Sequence, residues 1–157
     1  MSYWDKYRSD DPRRIPPLEA PLLDYVVVDT ETTGLNPEDG AKLIEIGAVK
    51  VKNGRIVDTY SQLINPQMIV PPHITQLTGI TTYDVSGKPT VKHAMKEFER
   101  WLGFETPFLA HNATFDLKFL DWATAETWPN RPLFDHPFLD TLEMSRDIHP
   151  EIRHHKV

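Results

Sequence analysis

The chain has 157 residues, a mass of 18.1 kDa and a formal net charge of -6 at pH 7. This length suits one domain with one core, and no run approaches the ~18 consecutive apolar residues of a membrane helix. The absence of cysteine excludes disulfides and thiolate metal sites. The negative charge argues against broad binding along a duplex, but it does not exclude an enzyme that holds a strand end through metal ions on carboxylates.

Residues 1–22 mix charges and prolines and show no periodicity. We predict a flexible arm, in which Tyr3, Trp4 and Tyr7 are free to stay disordered, to pack back on the domain or to dock on a partner. No basic segment followed by an apolar segment is found here, so we expect a cytoplasmic protein with no membrane partner.

Three strands are predicted next. Residues 22–29 are apolar and β-branched, which favours a strand that is buried on both faces and ends at Asp29. Residues 42–51 and 55–64 flank Asn53-Gly54, a strong hairpin signal. The three strands are therefore expected to form an antiparallel meander.

Helices and strands then alternate, which indicates an α/β sheet with helices packed on it. A short helix begins at Pro71-Pro72 and is closed by Gly79. Thr90 caps an amphipathic helix that ends at Gly103, and its predicted buried stripe is Val91, Ala94, Met95, Phe98, Trp101 and Leu102. A fourth strand (107–111), a helix (113–127) and a last helix beginning at 139–141 and stopping before Pro150 complete the order.

Two acids stand at the end of the first predicted strand. Residues i and i+2 of a strand point to the same face, so Asp29 and Glu31 present two carboxylates side by side. Such neighbours repel unless a cation lies between them, and their hard oxygen atoms favour Mg²⁺ or Mn²⁺. Gly34 is expected to permit a tight turn and close approach of the backbone to a ligand. Taken alone, this pattern is more often a solvated strand end.

The same arrangement recurs in His111-Asn112-Ala113-Thr114-Phe115-Asp116, where a strand ends in polar residues and a helix carries an acid. Asp116 lies one turn into that helix, near its positive end, where a carboxylate is stabilised. His111 is interpreted as a hydrogen-bonded rim residue.

Together these segments resemble the first two motifs of the DEDD 3′→5′ exonucleases, the family that includes the epsilon proofreading subunit of bacterial DNA polymerase III. Residues 43–49, 77–81 and 139–142 extend the resemblance, which covers roughly residues 23–157. It implies a ribonuclease H-like α/β fold, in which a mixed sheet joins the antiparallel meander to parallel strands with flanking helices.

The resemblance also implies a site. Asp29, Glu31 and Asp116 are its metal-binding and catalytic acids, holding two Mg²⁺ or Mn²⁺ ions in the complete site. The implied substrate-binding residues, with Leu35 wedged against the terminal base, are Thr30, Thr32, Gly34, Leu35, Asn112 and Phe115. The implied substrate is a single-stranded DNA 3′ end, the implied role is proofreading in DNA replication, and polymerase III subunits are the implied partners.

One part of the family pattern is missing. The His branch has a third motif, a His followed five residues later by an Asp, and none follows Asp140; His149, His154 and His155 are interpreted as loop residues. We therefore expect residues 23–157 to be an exonuclease domain without its last helices and nearly inactive alone, since loss of a general base costs ~10²–10⁴ in rate. Oligomerisation is expected to cover the apolar face that those helices leave.

Three alternatives stay open. A domain of this fold could hold a nucleic-acid end or a polymerase subunit without cutting, it could be an exoribonuclease that trims short RNA, or its acids could merely cap turns in a structural domain. The sequence does not separate DNA from RNA as substrate, nor His from Tyr as the missing proton acceptor.

Overall fold

The computed structural model describes residues 11–15, 22–104 and 106–141. Within these ranges a short 3-10 helix (Pro37–Asp39) follows the first strand. The strands and helices, in chain order, are β1 (Tyr25–Thr32), β2 (Leu43–Lys52), β3 (Arg55–Leu63), α1 (Pro72–Thr78), α2 (Thr82–Ser86), α3 (Val91–Leu102), β4 (Phe108–Ala110), α4 (Ala113–Thr127) and β5 (Phe138–Asp140).

The strands form one mixed sheet in the order β3-β2-β1-β4-β5. β2 pairs antiparallel with both β1 and β3, which confirms the predicted meander, while β4 pairs parallel with β1 and with β5. Asn53 (φ 52°) and Gly54 (φ 74°) are both left-handed, as the tight hairpin between β2 and β3 requires. The carboxyl ends of β1, β4 and β5 consequently lie at one edge of the sheet, where α/β proteins place their ligands.

The main core lies between the sheet and helices α3 and α4. The predicted stripe of α3 faces it: four of its residues are buried, and Val91 and Trp101 pack at its margin. Thr90 precedes α3 as predicted, although its side chain makes no capping hydrogen bond. A smaller cluster holds α1 and α2 against Ile44 of β2. Helix α2 was not predicted; a capping box between Thr81 and Asp84 begins it.

Strand β1 differs from the prediction in two respects. It continues past Asp29 to Thr32, because Thr30 and Glu31 remain paired with Ile46 and Glu45 of β2. It is also buried on one face only: Val26, Val28, Thr30 and Thr32 are buried, whereas Val27 is 40% exposed and Asp29 is exposed. Strand β1 is therefore covered on one face only, although its sequence begins as an apolar run.

The second face of the sheet changes from apolar to acidic along β1. One cross-strand row consists of Leu139, Leu109, Val27, Val49 and Thr59. Two residues further along β1, Asp29 stands opposite Gly47, and Glu31 then stands opposite Glu45. Directly opposed residues share a face, so the row at Val27 is apolar apart from Thr59 at its end, and the rows beyond it carry the acids.

The segment around Leu139 was predicted as the start of a helix, and this was wrong. Phe138–Asp140 is strand β5, paired in register with Phe108, Leu109 and Ala110 of β4, and helical structure begins only at Thr141. Three residues carry too little periodicity to separate the two, and pairing with β4 decides the outcome.

Residues 11–15 lie on the domain, although they fall within the predicted flexible arm. The Ile15 N–H donates to Phe138 O (2.8 Å) and the Phe138 N–H donates to Arg13 O (3.0 Å), so this segment runs along the outer edge of β5. The Arg13 guanidinium contacts Asp121 of α4 at 2.8 and 3.2 Å and Asp11 at 2.9 Å. The segment therefore covers a sheet edge and places a cation beside the fully buried Asp121.

Other predictions fall outside the described residues. Tyr3, Trp4 and Tyr7 do so, as do Leu142, the proposed end of the last helix before Pro150, and His149, His154 and His155. No helix in the described ranges is long and apolar enough to cross a membrane.

Replacing Arg13 by Met should lower the free energy of unfolding by about 3 kcal/mol, because the buried Asp121 carboxylate loses two charge-assisted hydrogen bonds. Urea denaturation measures this. R100M is the matched control, since Arg100 pairs with Glu97 at the surface and such pairs contribute about 0–1 kcal/mol.

The double variant R13M/D121N separates the charge from the packing. It should recover part of the stability lost in R13M, since the amide oxygen that D121N introduces can still accept the Phe134 N–H without a buried charge. Equal stability losses in R13M and R100M would contradict the assignment.

Candidate active site

Asp29 and Glu31 stand on the acidic part of the second sheet face, as predicted from their spacing. Asp29 is exposed and Glu31 is half-buried. Burial raises the pKa of Glu31, and the negative charges of Asp29 and Glu45 raise it further. Burial and the charge of Asp29 likewise raise the pKa of Glu45. Three carboxylates on neighbouring strands therefore repel one another here.

Asp116 approaches β1 from α4. Its carboxylate Oδ1 accepts hydrogen bonds from the Thr30 hydroxyl (2.6 Å) and the Thr30 N–H (3.2 Å). The side chain is 4% exposed. Burial raises the pKa of Asp116 to about 7; the charges of Asp29 and Asp140 also raise it, and the two bonds from Thr30 oppose the shift. A buried carboxylate with like charges around it is a place that a cation would stabilise.

The turn before α4 is fixed by the end of β5. Asn112 precedes α4 in a left-handed conformation (φ 67°, ψ 58°), and its N–H donates to Asp140 Oδ1 at 3.1 Å. The ring Nδ1 of His111 lies 3.0 Å from the Thr141 hydroxyl, which supports its interpretation as a hydrogen-bonded rim residue. The position of Asp116 thus depends on contacts made by both β1 and β5.

Neither Glu45 nor Asp140 was predicted as a site residue, and each had a signal in the sequence. Glu45 lies between Ile44 and Ile46 in a predicted strand next to the one that ends in Asp29 and Glu31, and it stands opposite Glu31 in the β1–β2 pairing. Asp140 follows the apolar pair Phe138-Leu139 as Asp29 follows its own apolar run. The mistaken helix at 139–141 concealed the second parallel.

The structure brings these acids to one end of the sheet but does not join them in one ligand set. In the described part of the chain, no three Asp, Glu or His side chains are grouped closely enough to hold a metal ion as they stand. The alternation of β1 explains this: Asp29 and Glu31 point to one face, whereas Asp116 is bonded to Thr30 on the other. The donors themselves, all carboxylate oxygens, fit Mg²⁺ or Mn²⁺.

The remaining predicted residues surround this edge. Thr30 and Thr32 are buried, and the Thr32 hydroxyl donates to Gly34 O at 2.7 Å. Leu35 is 75% exposed, Asn112 is exposed, and the half-buried Phe115 packs 5.2 Å from the Phe119 ring.

Gly34 lies close to a neighbouring segment of the chain. Its φ is not in the left-handed region, and a Cβ at this position would lie 3.2 Å from the Ala41 Cβ. The missing side chain therefore makes room for Ala41 where the loop packs against the approach to β2, and no left-handed turn depends on it.

The family model described as Exonuclease matches residues 26–157. The chain belongs to this exonuclease family. The exonuclease chain is 38% identical over 133 residues to the PolC-type DNA polymerase III of Bacillus cereus and 37% identical over 153 residues to that of Lacticaseibacillus paracasei. These matches cover 85% and 96% of this chain, but only 9% and 10% of the polymerases.

Solved structures agree with the family. Exonuclease X in complex with 5′ overhanging duplex DNA has a TM-score of 0.62 and 27% identity, covering 82% of this exonuclease chain and 66% of that chain. E. coli exonuclease I with single-stranded DNA has a TM-score of 0.70 at 16% identity, covering 82% of this chain and 30% of the other, and it supports the fold alone. The exonuclease chain has the ribonuclease H-like α/β fold that the sequence predicted.

Replacing Asp116 by Asn tests the burial of this carboxyl group without removing the oxygen that Thr30 contacts. The ordinary pKa of Asp is near 3.8 and the folded value is about 7, so between these values the folded state binds more protons than the unfolded state. The stability of the metal-free wild type should therefore fall as pH rises from 4 to 7, by up to about 4 kcal/mol more than that of D116N.

Urea denaturation in EDTA at several pH values measures this difference. D39N, at an exposed acid of the 3-10 helix, should follow the wild type. If the free energy of unfolding changes with pH equally in D116N and in the wild type, burial does not raise the pKa of this carboxyl group.

Proposed function

We propose that this chain is the catalytic part of a metal-dependent 3′→5′ exonuclease that removes nucleotides from the 3′ end of DNA, as in proofreading. The observation that carries the proposal is that the Asp116 carboxylate accepts two hydrogen bonds from Thr30, which lies between Asp29 and Glu31 near the carboxyl end of β1, in a chain of the exonuclease family. Acids that repel one another at a ligand-binding edge are suited to hold divalent cations.

The reaction is hydrolysis of the terminal phosphodiester. A water oxygen forms a bond to phosphorus, the bond from phosphorus to the 3′ oxygen breaks, and a nucleoside 5′-monophosphate leaves behind a new 3′ hydroxyl. Two bound divalent ions would activate the water and stabilise the departing oxygen. Asp29, Glu31 and Asp116 would hold them, while Leu35, Asn112 and Phe115 would contact the terminal nucleotide.

The relatives favour DNA as the substrate and a polymerase as the partner. PolC-type DNA polymerase III proteins match most of this chain, which spans about a tenth of their length, and exonuclease X was solved with DNA. We infer a role beside a replicative polymerase and a cytoplasmic location. A 3′ end requires only a few local contacts, which reconciles DNA binding with the net charge of -6.

A single-stranded oligonucleotide labelled at its 5′ end tests the activity and its direction. With Mg²⁺ or Mn²⁺ we expect a ladder of labelled products that shorten from the 3′ end, and EDTA should abolish it. The protein is used in excess over the oligonucleotide, so that even a single turnover gives visible product.

Variants E31Q and D116N should lower the rate more than about 100-fold, beyond what loss of an outer partner of a metal ligand costs. D39N should retain the wild-type rate. Immediate release of the 5′-terminal nucleotide, or a ladder unaffected by E31Q and D116N, would contradict the proposal.

Binding and digestion of the same oligonucleotide, measured together, separate the alternatives. Metal-dependent binding of the 3′ end without any product would identify a non-cleaving module. Faster shortening of an RNA of the same sequence would identify an exoribonuclease. Equal affinity with Mn²⁺ and with EDTA, together with no product, would leave a structural domain.

A further inference from the structure

The Lys118 side chain connects α4 to the loop that follows β1. Its Nζ donates to the Asn36 side-chain Oδ1 at 2.8 Å and to the Leu35 carbonyl at 3.2 Å. The same ammonium lies 5.4 Å from the centroid of the Phe115 ring, one turn earlier on α4. One cation therefore contacts two of the residues that were predicted to meet the substrate, Leu35 through its backbone and Phe115 through its ring.

The loop needs such a contact. Leu35 is 75% exposed, so packing of its own side chain does not fix its position. On the far side, the Ala41 N–H donates to the Asn36 carbonyl at 3.2 Å and ties the loop to the residues before β2. On the near side, Lys118 supplies hydrogen bonds from α4.

We propose that Lys118 is a positioning residue: it holds the loop at 34–36 against α4, so that Leu35 and Phe115 form a preformed pocket for the terminal base. The proposal rests on the proposed function, since it assigns the pocket to the 3′-terminal nucleotide. Ordering the loop in advance removes an entropy cost from binding. The competing use of the same lysine is direct contact with a substrate phosphate.

Binding is measured with an oligodeoxynucleotide that carries 2-aminopurine at its 3′ end, whose fluorescence reports contact of that base with the protein. K118M removes the hydrogen bonds and the charge but keeps the chain length. K118R keeps charge and donors. N36A removes the 2.8 Å acceptor while leaving the charge of Lys118, and the Asn36 side chain caps no helix. K96M is the control for loss of one exposed positive charge.

We expect K118M to weaken binding about tenfold and to lose the fluorescence change of the 3′ base. N36A should do the same to a smaller extent, K118R should restore most of the signal, and K96M should behave as wild type. The slope of log affinity against log salt should be the same in K118M and K96M, because the proposal gives Lys118 no phosphate contact.

The opposite pattern would overturn the proposal. Suppose that N36A binds with wild-type affinity, while K118M binds more weakly and its slope of log affinity against log salt is smaller by about one. Lys118 then contacts a phosphate. If K118M retains the fluorescence change with wild-type affinity, the loop does not depend on it.

Hydrogen exchange of the free protein distinguishes failure of the proposed Lys118 contact from failure of the proposed nuclease function. Backbone amides of residues 33–36 and 41 should exchange faster in K118M than in K96M. Should the wild type bind no oligonucleotide, the nuclease proposal fails, and this comparison alone still decides whether Lys118 holds the loop; equal exchange in both variants would refute it.

Discussion

The candidate site depends on one buried carboxyl group. Asp116 is held under the end of β1 by the N–H and hydroxyl groups of Thr30, and these two hydrogen bonds oppose the cost of burying its carboxylate near other acids. Thr30 lies between Asp29 and Glu31 in sequence. The contact that docks α4 on the sheet therefore also determines which acids of β1 stand beside Asp116.

Helix α4 connects the parts of the domain that surround this carboxyl group. Asp116 contacts β1, Lys118 contacts the loop after β1, and Asp121 binds Arg13 and the Phe134 N–H. All three residues lie on one helix, so a shift of α4 would disturb the acids, the loop at 34–36 and the packing of residues 11–15 together. Its start is fixed independently, because Asp140 accepts the N–H of the left-handed Asn112.

The two faces of the sheet have different roles. One packs against α3 and α4 and forms the core, while the other carries the apolar row at Val27 and the acids Asp29 and Glu31. Because β1 alternates, Thr30 and its two acidic neighbours must face opposite ways. The ribonuclease H-like fold thus presents carboxylates from two directions at one strand end, and the repulsion between these like charges is the physical basis of the proposed metal site.

The sequence by itself determined the meander, helices α1, α3 and α4, and the placement of Asp29 and Glu31 on one face of β1. These features follow from local periodicity, from the Asn53-Gly54 turn and from strand alternation, all of which are encoded in neighbouring residues. Only the tertiary structure decided that Phe138–Asp140 is a strand, that β1 is buried on one face, and that Arg13 lies beside Asp121. Glu45, Asp140 and Lys118 join the site through contacts between residues distant in the chain. The sequence holds local signals, such as the apolar pair before Asp140, but which residues these side chains contact is decided only when the elements are packed.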